Sequence, residues 1–205
     1  VNTDLYSPSA VSENTSIKLK SNLGYKSSDK IVIMLARLSW AKGVKQFCEA
    51  SDLLRKDYPS VKFLLVGPED TGSIDCVPAS YIKNYQKHVN FNWIGFRSDV
   101  KELFSICDIA TYPSYYREGG YPKGLTEPMS MGKPVITTDS EHCSAAVEDG
   151  ISGIIFPVKD SIAFAEAIKK IINNEELAST LGKKARERVL SELDEEKIIS
   201  KLILD

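Results

Sequence analysis

The chain has 205 residues, of which 42% are hydrophobic and 26% are charged, and its formal net charge is −2. This length fits one generous domain or two small ones, and the composition is ordinary for a globular protein. The balanced charge gives no indication of a nucleic-acid partner. Because no apolar run of about 18 residues is present, we expect no membrane-spanning helix.

The four cysteines are far apart and form no CxxC pair, so they favour free thiols over a disulfide framework or a zinc site. No histidine pairing typical of a metal site is present either, and we predict that no metal is bound. The first residues are polar and lack the order of a secretory signal, so we expect a cytoplasmic chain. The cysteines are Cys48, Cys76, Cys107 and Cys143.

The chain opens with a polar segment, residues 1–28, that we expect to be an extended or loose lead-in, or interdomain hinge segment, with a short helix near Ile17 to Leu23. From residue 29 onwards, apolar runs typical of strands buried on both faces alternate with helical spacing. The predicted strands are Lys30–Leu38, Val61–Gly67, His88–Gly95, Asp108–Ser114, Pro134–Asp139 and Ser152–Val158. The predicted helices are Gly43–Asp57, Pro78–Lys87, Asp99–Ser105, Lys123–Met131, Ser144–Val147 and Ser161–Asn173, with one or two more over Glu175–Ile203.

Strands of this kind separated by helices predict a Rossmann-like α/β domain over residues 29–205, with a doubly wound parallel sheet of about six strands and helices on both faces. In such sheets, ligands bind beyond the carboxyl ends of the strands. The residues directly after each strand are therefore the candidates for function.

Two cations, Arg37 and Lys42, follow the first predicted strand. Together they suit a diphosphate, because each neutralises charge and the start of the next helix adds N–H donors. Two solvated surface cations would give the same pattern, so this alternative stays open.

A glycine-rich loop, REGGYPKGLTEP, follows the fourth predicted strand. Its glycines permit close backbone approach, and Pro122 fits the start of a helix. Such a loop can present several N–H groups to an anion, although a plain turn with a helix cap would look similar. The glycines are Gly119, Gly120 and Gly124.

Two carboxylates, Glu118 and Glu127, flank the glycines of this loop. A carboxylate can accept two adjacent hydrogen bonds, which matches the vicinal diols of sugars and ribose. Beside a phosphate-binding helix start, the pair predicts a nucleotide-sugar site. The alternative for Glu127 is a first-turn carboxylate that stabilises the helix dipole.

Several separate stretches resemble one family in the right order. They are ARLSWAKGV, LLVGPED, VNFNWIGFRSDVKELFSICDIATYPSYYREGG and LTEPMSMGKPVITTDSEHCSAAVEDGISGIIFPVKD. They are similar to the carboxyl-terminal half of family-4 (group 1) glycosyltransferases of the GT-B type, over roughly residues 30–200. The resemblance implies two Rossmann-like domains around a cleft. We therefore expect the amino-terminal, acceptor-binding domain to be absent from this chain and the isolated domain to be inactive alone.

The resemblance also implies roles for single residues. Arg37 and Lys42 would contact the donor diphosphate and Glu118 the donor-sugar hydroxyls, as the three catalytic candidates, while Glu127 would take the ribose hydroxyls. The glutamates lie nine positions apart, one more than is usual in the family, so the register of Glu118 stays open. The other donor-binding candidates are Gly67, Gly95, Phe96 and Arg97 near the base, and Gly119, Gly120, Gly124, Leu125 and Thr126 in the loop and helix start.

The activity implied by the resemblance is a retaining hexosyltransferase that uses a nucleotide sugar, most simply a UDP or GDP sugar, with no metal or other cofactor. The acceptor would be a glycan or a lipid-linked sugar in surface polysaccharide biosynthesis. A lipid-linked acceptor predicts peripheral contact of the full enzyme with the inner face of the membrane. Two alternatives stay open, a non-catalytic nucleotide-binding module and a GT-B nucleotide-sugar epimerase.

Overall fold

The computed structural model describes residues 1–117 and 119–204. Six strands form one parallel sheet in the order β3-β2-β1-β4-β5-β6. The order reverses between β1 and β4, which makes their carboxyl ends the switch point where doubly wound sheets bind ligands. The strands are β1 (Lys30–Leu35), β2 (Val61–Val66), β3 (Phe91–Trp93), β4 (Ile109–Tyr112), β5 (Val135–Thr138) and β6 (Ile154–Phe156).

Nine α-helices lie within the described residues, and none of them is both long and apolar enough to cross a bilayer. A 3-10 turn, Trp40–Lys42, precedes α2, and a π-helical segment, Val189–Leu193, follows α8. The helices are α1 (Glu13–Asn22), α2 (Val44–Leu54), α3 (Ala79–Tyr85), α4 (Val100–Ile106), α5 (Lys123–Ser130), α6 (Glu141–Ser144), α7 (Ser161–Ile172), α8 (Glu175–Arg188) and α9 (Glu195–Leu204).

The core consists of two apolar layers, one on each face of the sheet. Alternate residues of β1 show this directly, because Val32 and Met34 face the layer beneath α2 and α7, while Ile31 and Ile33 face the layer beneath α4 and α5. All four side chains are fully buried. A strand buried on both faces needs a continuous apolar run, which explains the pattern read from the sequence.

The segment before β1 packs onto the domain. The Ser130 hydroxyl donates to the Tyr6 carbonyl at 2.6 Å, and the Thr3 hydroxyl donates to Asp194 at 2.6 Å. Helix α1 begins at Glu13, earlier than predicted, because the Ser12 side chain accepts a hydrogen bond from the Thr15 N–H and caps the helix.

The predicted fold class and the number of strands are confirmed. Strand and helix ends differ from the prediction by a few residues, and the strands are shorter than their apolar runs. The helix predicted over Ser144–Val147 was misplaced, since α6 covers Glu141–Ser144. Its start is set by Ser140, whose carbonyl accepts from the Cys143 and Ser144 N–H groups, and this polar start carries no apolar periodicity.

Candidate functional site

The start of α5 lies against the ends of β1 and β4, at the switch point of the sheet. A Cβ built on Gly124, the second residue of α5, would lie 2.9 Å from the Leu35 carbonyl oxygen and 3.1 Å from the Tyr112 ring. Glycine permits this close approach because it has no side chain. The first N–H groups of a helix lack intrahelical acceptors, so the helix presents anion-binding donors at this edge.

Not every N–H group near this helix start is available to a ligand. Those of Leu125 and Thr126 both donate to the Pro122 carbonyl, at 3.0 and 2.9 Å, and both side chains are buried. The phosphate contacts predicted for this stretch stay a prediction, and the N–H groups of Lys123 and Gly124, which precede these two, are the candidates for them.

Lys42 reaches the same place from the turn that follows β1. Lys42 is the last residue of the 3-10 turn and is only 8% exposed. Its Nζ donates to the Tyr112 hydroxyl at 3.1 Å. Since the Tyr112 ring also lies against Gly124, the ammonium group and the helix start share one neighbour. The alternative of a solvated surface cation is therefore wrong for Lys42, and its charge acts in a medium of lower dielectric than water.

The loop after β2 holds the turn that carries Lys42. The Asp75 carboxylate accepts from the Ala41 N–H at 3.0 Å and also from the Ser39 hydroxyl, and the Trp40 N–H donates to the Asp75 carbonyl at 3.0 Å. Asp75 was missed in the sequence because it lies in a distant polar loop without a motif. It could be found only from the folded structure.

Arg37 also lies at this edge, but in a more exposed position. Its Nη1 atom is 2.7 Å from the Asp70 carboxylate, and this ion pair joins the loops that follow β1 and β2. The Arg37 side chain is 56% exposed, so the pair itself adds little stability. A guanidinium has further donors that can contact a phosphate, and the alternative of a solvated cation stays open for Arg37.

The residues predicted to lie near the base come together at the ends of β2 and β3. They are Gly67, Gly95, Phe96 and Arg97. The Gly67 N–H donates to the Gly95 carbonyl at 2.8 Å, and the Phe96 ring is 72% exposed beside them. Arg97 Nε donates to Asp99 at 2.7 Å, and this guanidinium holds the pKa of the Asp99 carboxyl below its ordinary value. The structure thus brings the predicted base-binding residues together, and an exposed ring there is able to stack on a planar base.

Glu127 is the fifth residue of α5, beyond the first turn, so the alternative of a first-turn dipole partner is wrong. Its carboxylate interacts with the Tyr6 hydroxyl and lines a cavity of about 520 Å³ together with Tyr121 and Lys123. Burial raises the pKa of Glu127 above its ordinary value, although Tyr6 and Lys123 act in the opposite direction. Burial also raises the pKa of Tyr6 to about 12, so its hydroxyl stays protonated beside the carboxylate.

Glu118 lies outside the described residues, and its contact with the donor sugar stays a prediction. Gly119 and Gly120, which follow it, are exposed. A Cβ built on either would meet no described atom within 4 Å. Their part in phosphate binding therefore stays a prediction too.

The sequence matches a family model and several curated proteins. The model of the glycosyl transferases group 1 family matches residues 16–188. N,N'-diacetylbacillosaminyl-diphospho-undecaprenol alpha-1,3-N-acetylgalactosaminyltransferase of Campylobacter jejuni is 32% identical over 160 residues, which are 78% of this chain and 40% of that protein. Putative glycosyltransferase EpsD of Bacillus subtilis is 29% identical over 190 residues, 93% of this chain and 48% of that protein. The chain thus spans about half the length of these relatives.

The fold also matches solved structures. Anabaena HepE in complex with UDP superposes with a TM-score of 0.86 at 25% identity, over 100% of this chain and 56% of that one. HepE has also been solved with UDP-glucose, and that complex superposes with a TM-score of 0.85. The Rossmann-like architecture of this chain is therefore that of a GT-B glycosyltransferase domain.

Proposed function

Because the chain belongs to the glycosyl transferases group 1 family, we propose that it is the donor-binding half of a retaining hexosyltransferase. The observation that carries this proposal is the convergence of the Lys42 ammonium group and the start of α5 on Tyr112, at the switch point of the sheet. A buried cation and helix N–H groups at one point suit the diphosphate of a nucleotide sugar. A UDP sugar is favoured over a GDP sugar, since HepE binds UDP and UDP-glucose.

The proposed chemistry uses these groups where charge develops. The bond between the sugar C1 and the diphosphate oxygen breaks, and the acceptor oxygen bonds to C1 on the same face, which retains the configuration. The acceptor proton passes to the departing phosphate oxygen. Lys42, Arg37 and the helix N–H groups stabilise the negative charge on the leaving nucleoside diphosphate, and no protein nucleophile is needed.

We assign the two carboxylates to hydroxyl groups on either side of the diphosphate. Glu127 takes the ribose diol, which is supported by its half-buried carboxylate at the cavity wall. Glu118 takes hydroxyls of the donor sugar. The base lies at the ends of β2 and β3, beside the exposed Phe96 ring.

The acceptor is proposed to be a glycan or a lipid-linked sugar, held by a second domain outside this chain. The name of the Campylobacter relative supports this, because that enzyme acts on a diphospho-undecaprenol-linked sugar. The reaction would then take place in the cytoplasm at the inner face of the membrane, as part of surface polysaccharide biosynthesis. Without the second domain, the chain would bind donor and transfer nothing.

Calorimetric titration of the protein with UDP, GDP and ADP sugars tests the donor assignment. We expect binding of a UDP sugar and little or no binding of the others. A folded protein, verified by circular dichroism, that binds none of these sugars would overturn the proposal.

Two product assays separate the transferase from its alternatives. The full-length enzyme with donor and acceptor should form a new glycoside of the same anomeric configuration as the donor. Conversion of the nucleotide sugar without acceptor would indicate an epimerase, and donor binding with no chemistry in the full-length protein would indicate a binding module.

A further inference from the structure

Two tyrosine rings surround the ammonium group of Lys42. Its Nζ lies 4.4 Å from the centroid of the Tyr116 ring and 5.6 Å from that of Tyr112, in addition to the hydrogen bond with the Tyr112 hydroxyl. Removing a cation from water is costly, and the negative face of an aromatic ring compensates part of that cost. The Tyr116 ring therefore replaces water on one side of the ammonium group.

Backbone contacts hold Tyr116 in this position. Its N–H donates to the Ser114 hydroxyl at 3.1 Å, and this hydroxyl donates to the Ala41 carbonyl at 3.3 Å. The Tyr115 N–H donates to the same carbonyl at 2.8 Å. Since Ala41 directly precedes Lys42, the segment that carries the ring is tied to the turn that carries the ammonium group.

We propose that Tyr116 is a positioning residue for Lys42, holding its ammonium group desolvated and directed at the donor diphosphate. This inference rests on the proposed function, because it requires that the anion beside Lys42 is a nucleoside diphosphate. The ring acts through Lys42 and need not touch the donor. Its role predicts a specific signature, because losing the ring should weaken binding of the diphosphate part and leave binding of the nucleoside part unchanged.

The chain offers matched variants for this inference. Tyr116→Phe keeps the ring face, whereas Tyr116→Leu removes it, and Tyr116 is 47% exposed, so both variants should fold. Tyr115→Leu is the control, because the Tyr115 ring lies beside a different cation, the Lys159 Nζ at 4.6 Å from its centroid.

Calorimetry with UDP and with uridine gives the first readout. Tyr116→Leu should weaken UDP binding by about 3- to 30-fold, the range of a cation–π contact, while uridine binding stays unchanged. Tyr116→Phe and Tyr115→Leu should stay within about twofold of the wild type for both ligands. In a Lys42→Met background, Tyr116→Leu should have no further effect, since the two residues act as a unit. Equal weakening of UDP and uridine would show instead that the ring stacks on the nucleoside, and additive effects of the two substitutions would also overturn the inference.

Competitive acetylation of lysines, read by mass spectrometry without any nucleotide, gives a second and independent readout. Lys42 should react slowly in the wild type and in Tyr116→Phe, and faster in Tyr116→Leu, because the ring shields its amine. An unchanged Lys42 rate in Tyr116→Leu would overturn the inference even if UDP binds. If the wild type binds no UDP, the proposed function fails, while the labelling still decides whether Tyr116 positions Lys42.

Discussion

Gly43 lies so close to Pro113 that a Cβ built on the glycine would be 2.1 Å from the proline carbonyl oxygen. Gly43 has a φ of 81°, and it is both the C-cap of the 3-10 turn that carries Lys42 and the N-cap of α2. Pro113 directly follows β4. This contact packs the turn that carries Lys42 against the end of β4. Tyr112, the last residue of β4, accepts the hydrogen bond from Lys42.

Replacing Gly43 by alanine should therefore be strongly destabilising. The left-handed backbone disfavours any side chain, and the new methyl group would strike a backbone atom that cannot rotate away. We expect the free energy of unfolding to fall by about 3 kcal/mol, the sum of strain and overpacking. Urea denaturation followed by circular dichroism measures this change.

Gly150→Ala is the matched control for this substitution. Gly150 also has a left-handed φ, of 73°, but its Cβ would meet no described atom within 4 Å. The free energy of unfolding of Gly150→Ala should fall by only about 1 kcal/mol, the cost of the left-handed conformation alone. Equal losses in the two variants would show that the contact with Pro113 contributes nothing.

The four cysteines should differ in reactivity, although all are free thiols, as predicted. Cys76 is half-buried in the loop after β2, whereas Cys48, Cys107 and Cys143 are buried. Burial raises the pKa of the Cys48 thiol and brings that of Cys107 to about 12, which suppresses the reactive thiolate. With an aromatic disulfide reagent, we expect one thiol to react rapidly in the native protein and the other three to react only after unfolding. Cys76→Ser should abolish the rapid phase, and a rapid phase that survives it would contradict this assignment.

The fold could be predicted from the sequence because its strands are buried on both faces. Runs such as Ile31–Leu35 are apolar without interruption, and their alternation with amphipathic helices leaves few other arrangements. Strand and helix ends were predicted less well, because they are set by local hydrogen bonds. The Ser140 carbonyl at the start of α6 is an example, since the N–H groups that donate to it leave no trace in an apolar pattern.

The site could be predicted only in part. Lys42 and Gly124 follow strands that meet at the switch point, so topology alone brings them together. Asp75 and Tyr116 could not be found in this way, because their contacts with the Lys42 turn depend on how two loops fold over the sheet edge. The packing of Tyr6 against Glu127 was missed for the same reason, since it joins the first residues to a helix late in the chain.

Lys42→Met should selectively weaken binding of nucleotides that carry phosphates. Methionine preserves most of the packing but removes the charge and the donor. We expect UDP affinity to fall by about 1.5–3 kcal/mol, the range for a hydrogen bond to a charged group, with little change for uridine. Lys45→Met makes the same chemical change at an exposed position on α2 and should leave both affinities unaltered. Comparable losses of affinity for uridine and UDP would show that Lys42 does not contact the diphosphate.

Glu127→Gln tests the proposed ribose contact by calorimetry with UDP. A neutral amide cannot accept two hydroxyl groups side by side, so we expect the affinity to fall by about 1–3 kcal/mol. The uridine affinity should fall by a similar amount, because ribose is common to both ligands, in contrast to the Lys42 variant. Glu148→Gln, which alters an exposed carboxylate, is the control. An unchanged UDP affinity in Glu127→Gln would leave this carboxylate without a role in donor binding.

The same substitution should change how stability depends on pH. Burial raises the folded-state pKa of Glu127 above its unfolded value, so between these two values the folded state binds more protons than the unfolded state. The stabilising contribution of the protonated carboxyl is fully present below the unfolded pKa and is lost as the pH rises through the folded pKa. Glutamine does not titrate, so the free energy of unfolding of Glu127→Gln, relative to the wild type, should rise with pH across this window and then level off. Urea denaturation from about pH 4 to about pH 7 measures the difference. A relative stability that falls with pH would mean that the partners of Glu127, Tyr6 and Lys123, outweigh its burial.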